Sequence, residues 1–261
     1  MLYLKYNLKM HFLIHYFLYN KSKLTFPYYT IGYYDFPETY LRSRKLELLR
    51  RKFYKVYLMK QFKKLGISKK EFMDYYSGLR NCKDIIRKIY EIQAKVPRSR
   101  YGGYPNPEIF YILMRKIKPK IVVETGVSFG ITSSFILQAM EENGFGTLYS
   151  IDLPFEFATK EEVGIIVPKR LRHRWELILG DSKIELPRLL KDLDSIDVFF
   201  HDSLHTYEHM MFEYKTAWPK IKKDGILISD DIHLNNSFID FCKAVKCKPI
   251  ILSANLGIII K

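Results

Sequence analysis

From residue 121 onward, short runs of β-branched and apolar residues alternate with segments of helical period. The runs are IVVET (121–125), TLYSID (147–152), WELILG (175–180), IDVFFHD (196–202), GILISDD (225–231), PIILSA (249–254) and GIIIK (257–261). Strands that alternate with helices form βαβ units, so this texture restricts the second part of the chain to an α/β fold with a largely parallel sheet. Only Asn255 and Leu256 separate the last two runs. That is too short for a helical crossover, and it predicts an antiparallel hairpin at the end of the sheet. The expected architecture is an α/β fold around a largely parallel sheet that these seven runs build.

The first hundred residues have a different character. They hold 23 Lys and Arg against 7 Asp and Glu, a surplus of 16 that exceeds the +15 of the whole 261-residue chain; residues 101–261 hold 20 against 21. Residues 1–42 are rich in Tyr and Phe and show no clean period. Over 43–64, Leu46, Leu49, Phe53, Val56 and Met59 recur at helical steps between Arg and Lys, predicting an amphipathic helix with a basic outer face. Ser68 followed by Glu71 reads as a capping box, and Ile85, Ile86, Ile89, Ile92 and Val96 mark a helix over 80–96. The segment RSRYGGYPNP (98–107) is a loop, after which Asn106 caps a helix that has Pro107 at its first position. The division is therefore a basic, mainly helical extension over 1–104 and an α/β domain over 105–261.

The usage of 48% hydrophobic and 27% charged residues excludes a disordered chain. Cys82, Cys242 and Cys247 are too few for a disulfide framework or a zinc cluster, and are read as incidental thiols. In MLYLKYNLKMHFLIHYFLYN, polar residues interrupt the apolar run before it reaches the roughly 18–20 residues of a spanning helix. No small-residue cleavage site follows, so a cytoplasmic location is expected, with peripheral membrane contact as a variant.

The chemistry-bearing residues gather at the carboxyl ends of the expected strands, where open α/β sheets bind ligands. The first strand runs into Glu124-Thr125-Gly126-Val127-Ser128-Phe129-Gly130, a turn that can bring a ligand against backbone and a helix N-terminus. It lacks the third glycine of the dinucleotide fingerprint and the Gly-Lys-Ser/Thr of a P-loop. Asp152 closes the second strand and could accept ribose hydroxyls. Asp181 and Ser182 follow the third, where they either meet an adenine or cap the next helix. Asp202 ends the fourth strand, and Asp230 and Asp231 end the fifth. Carboxylates brought together repel unless protonated or neutralised by a cation, and an all-oxygen set suits Mg²⁺ or another hard divalent ion. His205, three residues beyond Asp202, is then placed as a base.

Taken in order, VVETGVSFGITSS, SIDLP, LGDS, FFHDSLHTYE and DGILISDD resemble the motifs of class I S-adenosylmethionine-dependent methyltransferases over about 105–261. The pattern is most similar to the metal-dependent sugar O-methyltransferase group that includes the macrocin and mycinamicin enzymes, and more distantly to catechol O-methyltransferase. The resemblance implies a Rossmann-like, seven-stranded sheet in which Glu124, Gly126, Ser128 and Gly130 surround the methionine part of the cofactor. It places Asp152 at the ribose, Asp181 and Ser182 near the adenine, and Asp202, Asp230 and Asp231 on the metal, with His205 as general base. Two positions depart from the family: Ser203 stands where Gly is frequent, and His201 where an apolar residue is usual.

Among the remaining residues, His209 is expected to act behind the site or on the surface, and His233 stands evenly between the site and a loop. Trp175 and Trp218 are expected to pack. The loop Tyr101-Gly102-Gly103-Tyr104 is read as either a cover for the cofactor or a hinge. For the basic extension the preferred reading is a lid over the pocket of a small-molecule acceptor, a sugar or a lipid-linked glycan. The others are a nucleic-acid arm, which would make the enzyme an RNA methyltransferase, and a surface for anionic lipid. A non-catalytic module that binds adenosyl ligands is the reading outside enzymes.

Overall fold

The computed structural model describes residues 55–96, 100, 107–154, 158–253 and 255–261. The aromatic-rich segment 1–42, most of the helix expected over 43–64, the loop 101–104 and the cap at Asn106 lie outside the described residues.

Residues 55–63 are helical. The buried face differs from the expected one: Leu58 and Phe62 are buried while Val56 is 39% exposed, because neighbouring elements cover the face one step around the helix. Helix α1 (Lys69–Gly78) starts at the capping box. Glu71 N–H donates to Ser68 Oγ at 3.2 Å and Ser68 N–H donates to Glu71 Oε2 at 2.8 Å. A 3₁₀ turn over Leu79–Cys82 leads into α2 (Lys83–Gln93), which buries Ile85, Ile89 and Ile92. Helix α3 (Pro107–Ile117) opens on its proline, as expected.

Seven strands follow: β1 (Ile121–Thr125), β2 (Thr147–Asp152), β3 (Trp175–Leu179), β4 (Ile196–His201), β5 (Ile221–Ser229), β6 (Ile250–Ile251) and β7 (Gly257–Ile260). Helices α4 (Ile131–Asn143), α5 (Ser182–Asp192), α6 (Tyr207–Ala217) and α7 (Ser237–Ala244) connect them. The sheet order is β3-β2-β1-β4-β5-β7-β6, parallel from β3 through β5 and antiparallel for the closing β6–β7 hairpin. Strand β5 begins four residues earlier than its apolar run suggests. Ile221 pairs with Ile196, the exposed Lys222, Lys223 and Asp224 bulge out, and pairing resumes at Val198 and Ile226. Strand β6 is shorter than expected, with only Ile250 and Ile251 in the ladder.

Alternate strand residues face opposite layers. Val122, Leu148, Val198, Phe200, Ile226 and Ile258 join one core with α3 and α4; Leu58, Phe72, Ile85 and Ile89 belong to the same cluster. The described part of the basic extension thus packs into the core on that face. Val123, Ile151, Phe199, Leu227 and Ile259 meet α5, α6 and α7 on the other face. The chain leaves β1 toward β2 and β3 on one side and returns to β4 on the other. The carboxyl ends of β1 and β4 therefore form a switch-point crevice.

Candidate active site

The turn after β1 is built to bring two backbone segments into contact. Gly126 has φ +85°, and a Cβ there would lie 1.9 Å from the Asp202 carbonyl oxygen. Gly130 has φ +84°, and its Cβ would fall 2.8 Å from Gly164 Cα. Neither position admits a side chain. Asp202 N–H donates to Thr125 O at 2.8 Å, so the β1 turn and the loop after β4 are held edge to edge.

Asp152 is not merely a solvated strand end. Its Oδ2 accepts from Ser128 N–H at 2.7 Å and Val127 N–H at 3.1 Å, which fixes Ser128 at φ 49°. Burial raises the Asp152 pKa, and these backbone hydrogen bonds oppose the rise. Glu124 is fully buried beneath the turn, where Oε1 accepts from Ser133 and Ser150 hydroxyls at 2.5 and 2.6 Å. Its Oε2 has no hydrogen-bond partner, and burial lifts its pKa to about 7. A segment that the motif reading missed completes the turn: Gly164 N–H donates to Ser128 O at 2.8 Å and Ile166 N–H to Phe129 O at 3.0 Å.

After β3 the structure separates two residues that were read together. Asp181 caps α5, accepting from Lys183 N–H at 2.8 Å. Ser182 turns inward, and its hydroxyl donates to Glu213 Oε1 at 2.5 Å.

The acidic residues and His205 converge beside the β1 turn. One donor atom from each of Asp202, His205 and Asp230 lies within 4.8 Å of the others, the spacing of a cation's ligand set. Asp231 stands one step back: its Oδ1 accepts from Asn255 Nδ2, and its Oδ2 lies 3.8 Å from His205 Nδ1. Asp202, His205 and Asp230 thus aim donors at one point, with Asp231 beside His205. His205 Nε2 is 3.6 Å from Asp202 Oδ1, and both His205 Nε2 and Asp230 Oδ1 are buried without a hydrogen-bond partner. Burial, then the charges of Asp230 and Asp231, drive the Asp202 pKa well above the usual carboxylate range. Burial and the Asp231 charge push Asp230 up to about 8. Burial and His201 bring His205 down to about 4 against the pull of Asp231, which leaves a neutral imidazole. Mutually repelling carboxylates with an orphaned oxygen fit a bound cation.

Glu213 carried no signal in the strand-end motifs, yet it is fully buried on α6 and receives five donors. Thr125 Oγ1 and His201 Nδ1 reach Oε2 at 2.5 and 2.6 Å, and Ser182, Ser203 and His209 reach Oε1 at 2.5, 2.8 and 2.9 Å. Burial acts to raise its pKa, but His201 and the hydrogen bonds outweigh it and hold the carboxyl far below its ordinary value. His209, expected behind the site, is found in this network. His233 is exposed, 3.8 Å from Asp231 Oδ1. Trp175 packs in the core with Nε1 donating to Ser150, and Trp218 packs on Phe241.

A family model described as a methyltransferase domain matches residues 123–232, from β1 through the acidic pair after β5. The chain carries a methyltransferase domain. Solved structures share its fold. An SAH-bound methyltransferase from Podospora anserina has TM-score 0.52 and 12% identity, covering 67% of this chain and 86% of that one. An O-methyltransferase from Bacillus cereus in complex with SAH has TM-score 0.51 and 10% identity, covering 69% and 91%. A methyltransferase from Geobacter sulfurreducens has TM-score 0.51 and 16% identity, covering 68% and 87%. No curated protein matches this sequence. The methyltransferase domain holds all ten residues singled out at the strand ends between Glu124 and Asp231, together with His205. Among the described residues, no helix is long and apolar enough to cross a membrane.

Proposed function

We propose that this domain transfers a methyl group from S-adenosylmethionine to a hydroxyl of a sugar or another vicinal-diol small molecule, assisted by a divalent cation. The observation that carries the reading is the convergence of Asp202, His205 and Asp230 beside the Gly126 turn, in backbone contact with it. Gly126, Ser128, Gly130 and Glu124 shape the cradle for the methionine part of the cofactor, and Asp152 braces it from β2. Asp202 and Asp230 hold the cation, with Asp231 behind them. A bound divalent ion polarises hydroxyl oxygens and lowers their pKa.

His205, neutral and flanked by Asp202 and Asp231, takes the proton of the acceptor hydroxyl. The hydroxyl oxygen attacks the methyl carbon as the carbon–sulfur bond breaks. Its electron pair returns to sulfur and leaves the neutral thioether SAH. Holding the two reactants in line supplies much of the acceleration. The basic extension, part of which packs on the α3–α4 face, serves as the acceptor-side element in this reading.

Calorimetry with SAH, with and without Mg²⁺, tests the core claim, and absence of binding in both conditions overturns it. His205→Ala tests the base. Turnover of vicinal-diol acceptors is expected to fall about 100-fold or more while SAH and Mg²⁺ still bind. Loss of Mg²⁺ binding in that variant would make His205 a ligand instead.

A further inference from the structure

The Glu213 carboxylate lies fully buried, and its partners come from four separate pieces of chain. Thr125 is the last residue of β1, His201 the last of β4, Ser203 sits in the loop beyond β4, and Ser182 opens α5; His209 comes from the same helix as Glu213. A carboxylate is tolerated in an interior only where hydrogen bonds replace its water. Packing α6 against the sheet needs nothing more than the apolar face that Met210, Tyr214 and Ala217 already provide.

The placement of the donors gives the function. Thr125 precedes Gly126 of the cofactor turn, Ser182 follows Asp181, and His201 and Ser203 flank Asp202. Four of the five donors therefore adjoin, by one residue, a position assigned to cofactor or cation. Both carboxylate oxygens are shared across these segments: Oε2 joins β1 to β4, and Oε1 joins the loop after β4 to the start of α5.

We propose that Glu213 is a positioning residue that ties the cofactor turn to the cation-facing loop, so that one buried carboxylate sets the geometry of both sites. The inference rests on the methyltransferase reading above. It also gives the two departures from the family pattern a use, because His201 Nδ1 and Ser203 Oγ both bond Glu213. Glu213 touches neither ligand, and it acts through the residues it holds.

The test compares SAH and Mg²⁺ affinities, measured separately by calorimetry on the full chain. Glu213→Gln keeps the shape but turns an acceptor oxygen into a donor facing other donors, and it is expected to weaken both affinities by roughly tenfold. Leu190→Ala, a core truncation on the same face, is expected to lower the melting temperature and leave both affinities unchanged. If Glu213→Gln does not fold, single-donor variants replace it. Thr125→Val is expected to weaken SAH more than Mg²⁺, and Ser203→Ala the reverse. Wild-type affinities in folded Glu213→Gln, or in both single-donor variants, overturn the proposal, as does an equal loss in Leu190→Ala. Absence of SAH binding by the wild-type chain is a different result, and removes the methyltransferase reading on which the proposal stands.

Discussion

Asn255 donates a hydrogen bond from Nδ2 to Oδ1 of Asp231, joining the C-terminal hairpin to the acidic cluster. The link is doubled by the backbone, where Ile232 N–H donates to Asn255 O at 3.0 Å. Asp231 holds φ 48°, a left-handed conformation costly for a residue with a Cβ, and the two contacts stabilise it there. Groups that orient ligand carboxylates typically change metal affinity by about 10–100-fold when removed. Asn255→Ala is therefore expected to weaken Mg²⁺ binding by at least roughly tenfold while the chain stays folded. Unchanged affinity by calorimetry would detach Asp231 from the cation site.

Asp230 has an orphaned oxygen and lies against other carboxylates, which with burial push its pKa up to about 8, so above that pH the metal-free protein carries repulsion that a cation relieves. Asp230→Asn removes the charge and keeps the shape. In chelator above a pH of about 8, where Asp230 ionises, it is expected to raise the melting temperature, and it is expected to abolish the further rise that Mg²⁺ gives the wild type. A variant that melts lower than wild type in chelator at that pH contradicts this account.

Gly126→Ala places a methyl group on the Asp202 carbonyl at a positive φ. Backbone strain of this kind costs about 1–3 kcal/mol by itself, and the clash must add to it by prising the β1 turn from the loop after β4. The urea midpoint is expected to fall, and SAH binding to fall with it.

Glu71 accepts hydrogen bonds from Lys116 and from Ser68, which lower its pKa from 4.5 to about 2. A folded-state value below the unfolded one means stability that is present in full above about 4.5 and lost as the pH falls through about 2. Glu71→Gln is expected to melt lower than wild type at pH 7, with the gap closing progressively below pH 4.5. A gap that stays constant with pH would show that the charge contributes nothing to α1.

The strand positions and the strand-end carboxylates were legible because both signals are local. A run such as IDVFFH reads as a buried strand from its own residues, and parallel order then puts Asp152, Asp202 and Asp230 at one edge. The capping box at Ser68 and Glu71 was legible for the same reason, since its partners are three residues apart. Less local features were misread. Val56 was assigned to a buried face it does not occupy, and β5 was started at Gly225 because three exposed residues interrupt its pairing.

The sequence by itself determined the α/β texture, the closing hairpin and the edge of the sheet where chemistry gathers, since periodicity and strand-end residues are properties of short stretches. Only the tertiary structure decided which polar groups share a hydrogen bond. Glu213 meets Thr125 across 88 positions, and Ser182 turns to Glu213 rather than outward, 31 positions away. Asp231 accepts from Asn255, 24 positions away, and His205 lies beside Asp202 and Asp230. These pairings depend on sheet order and on which face each side chain occupies, and a buried carboxylate settles wherever folding brings enough donors to replace its water.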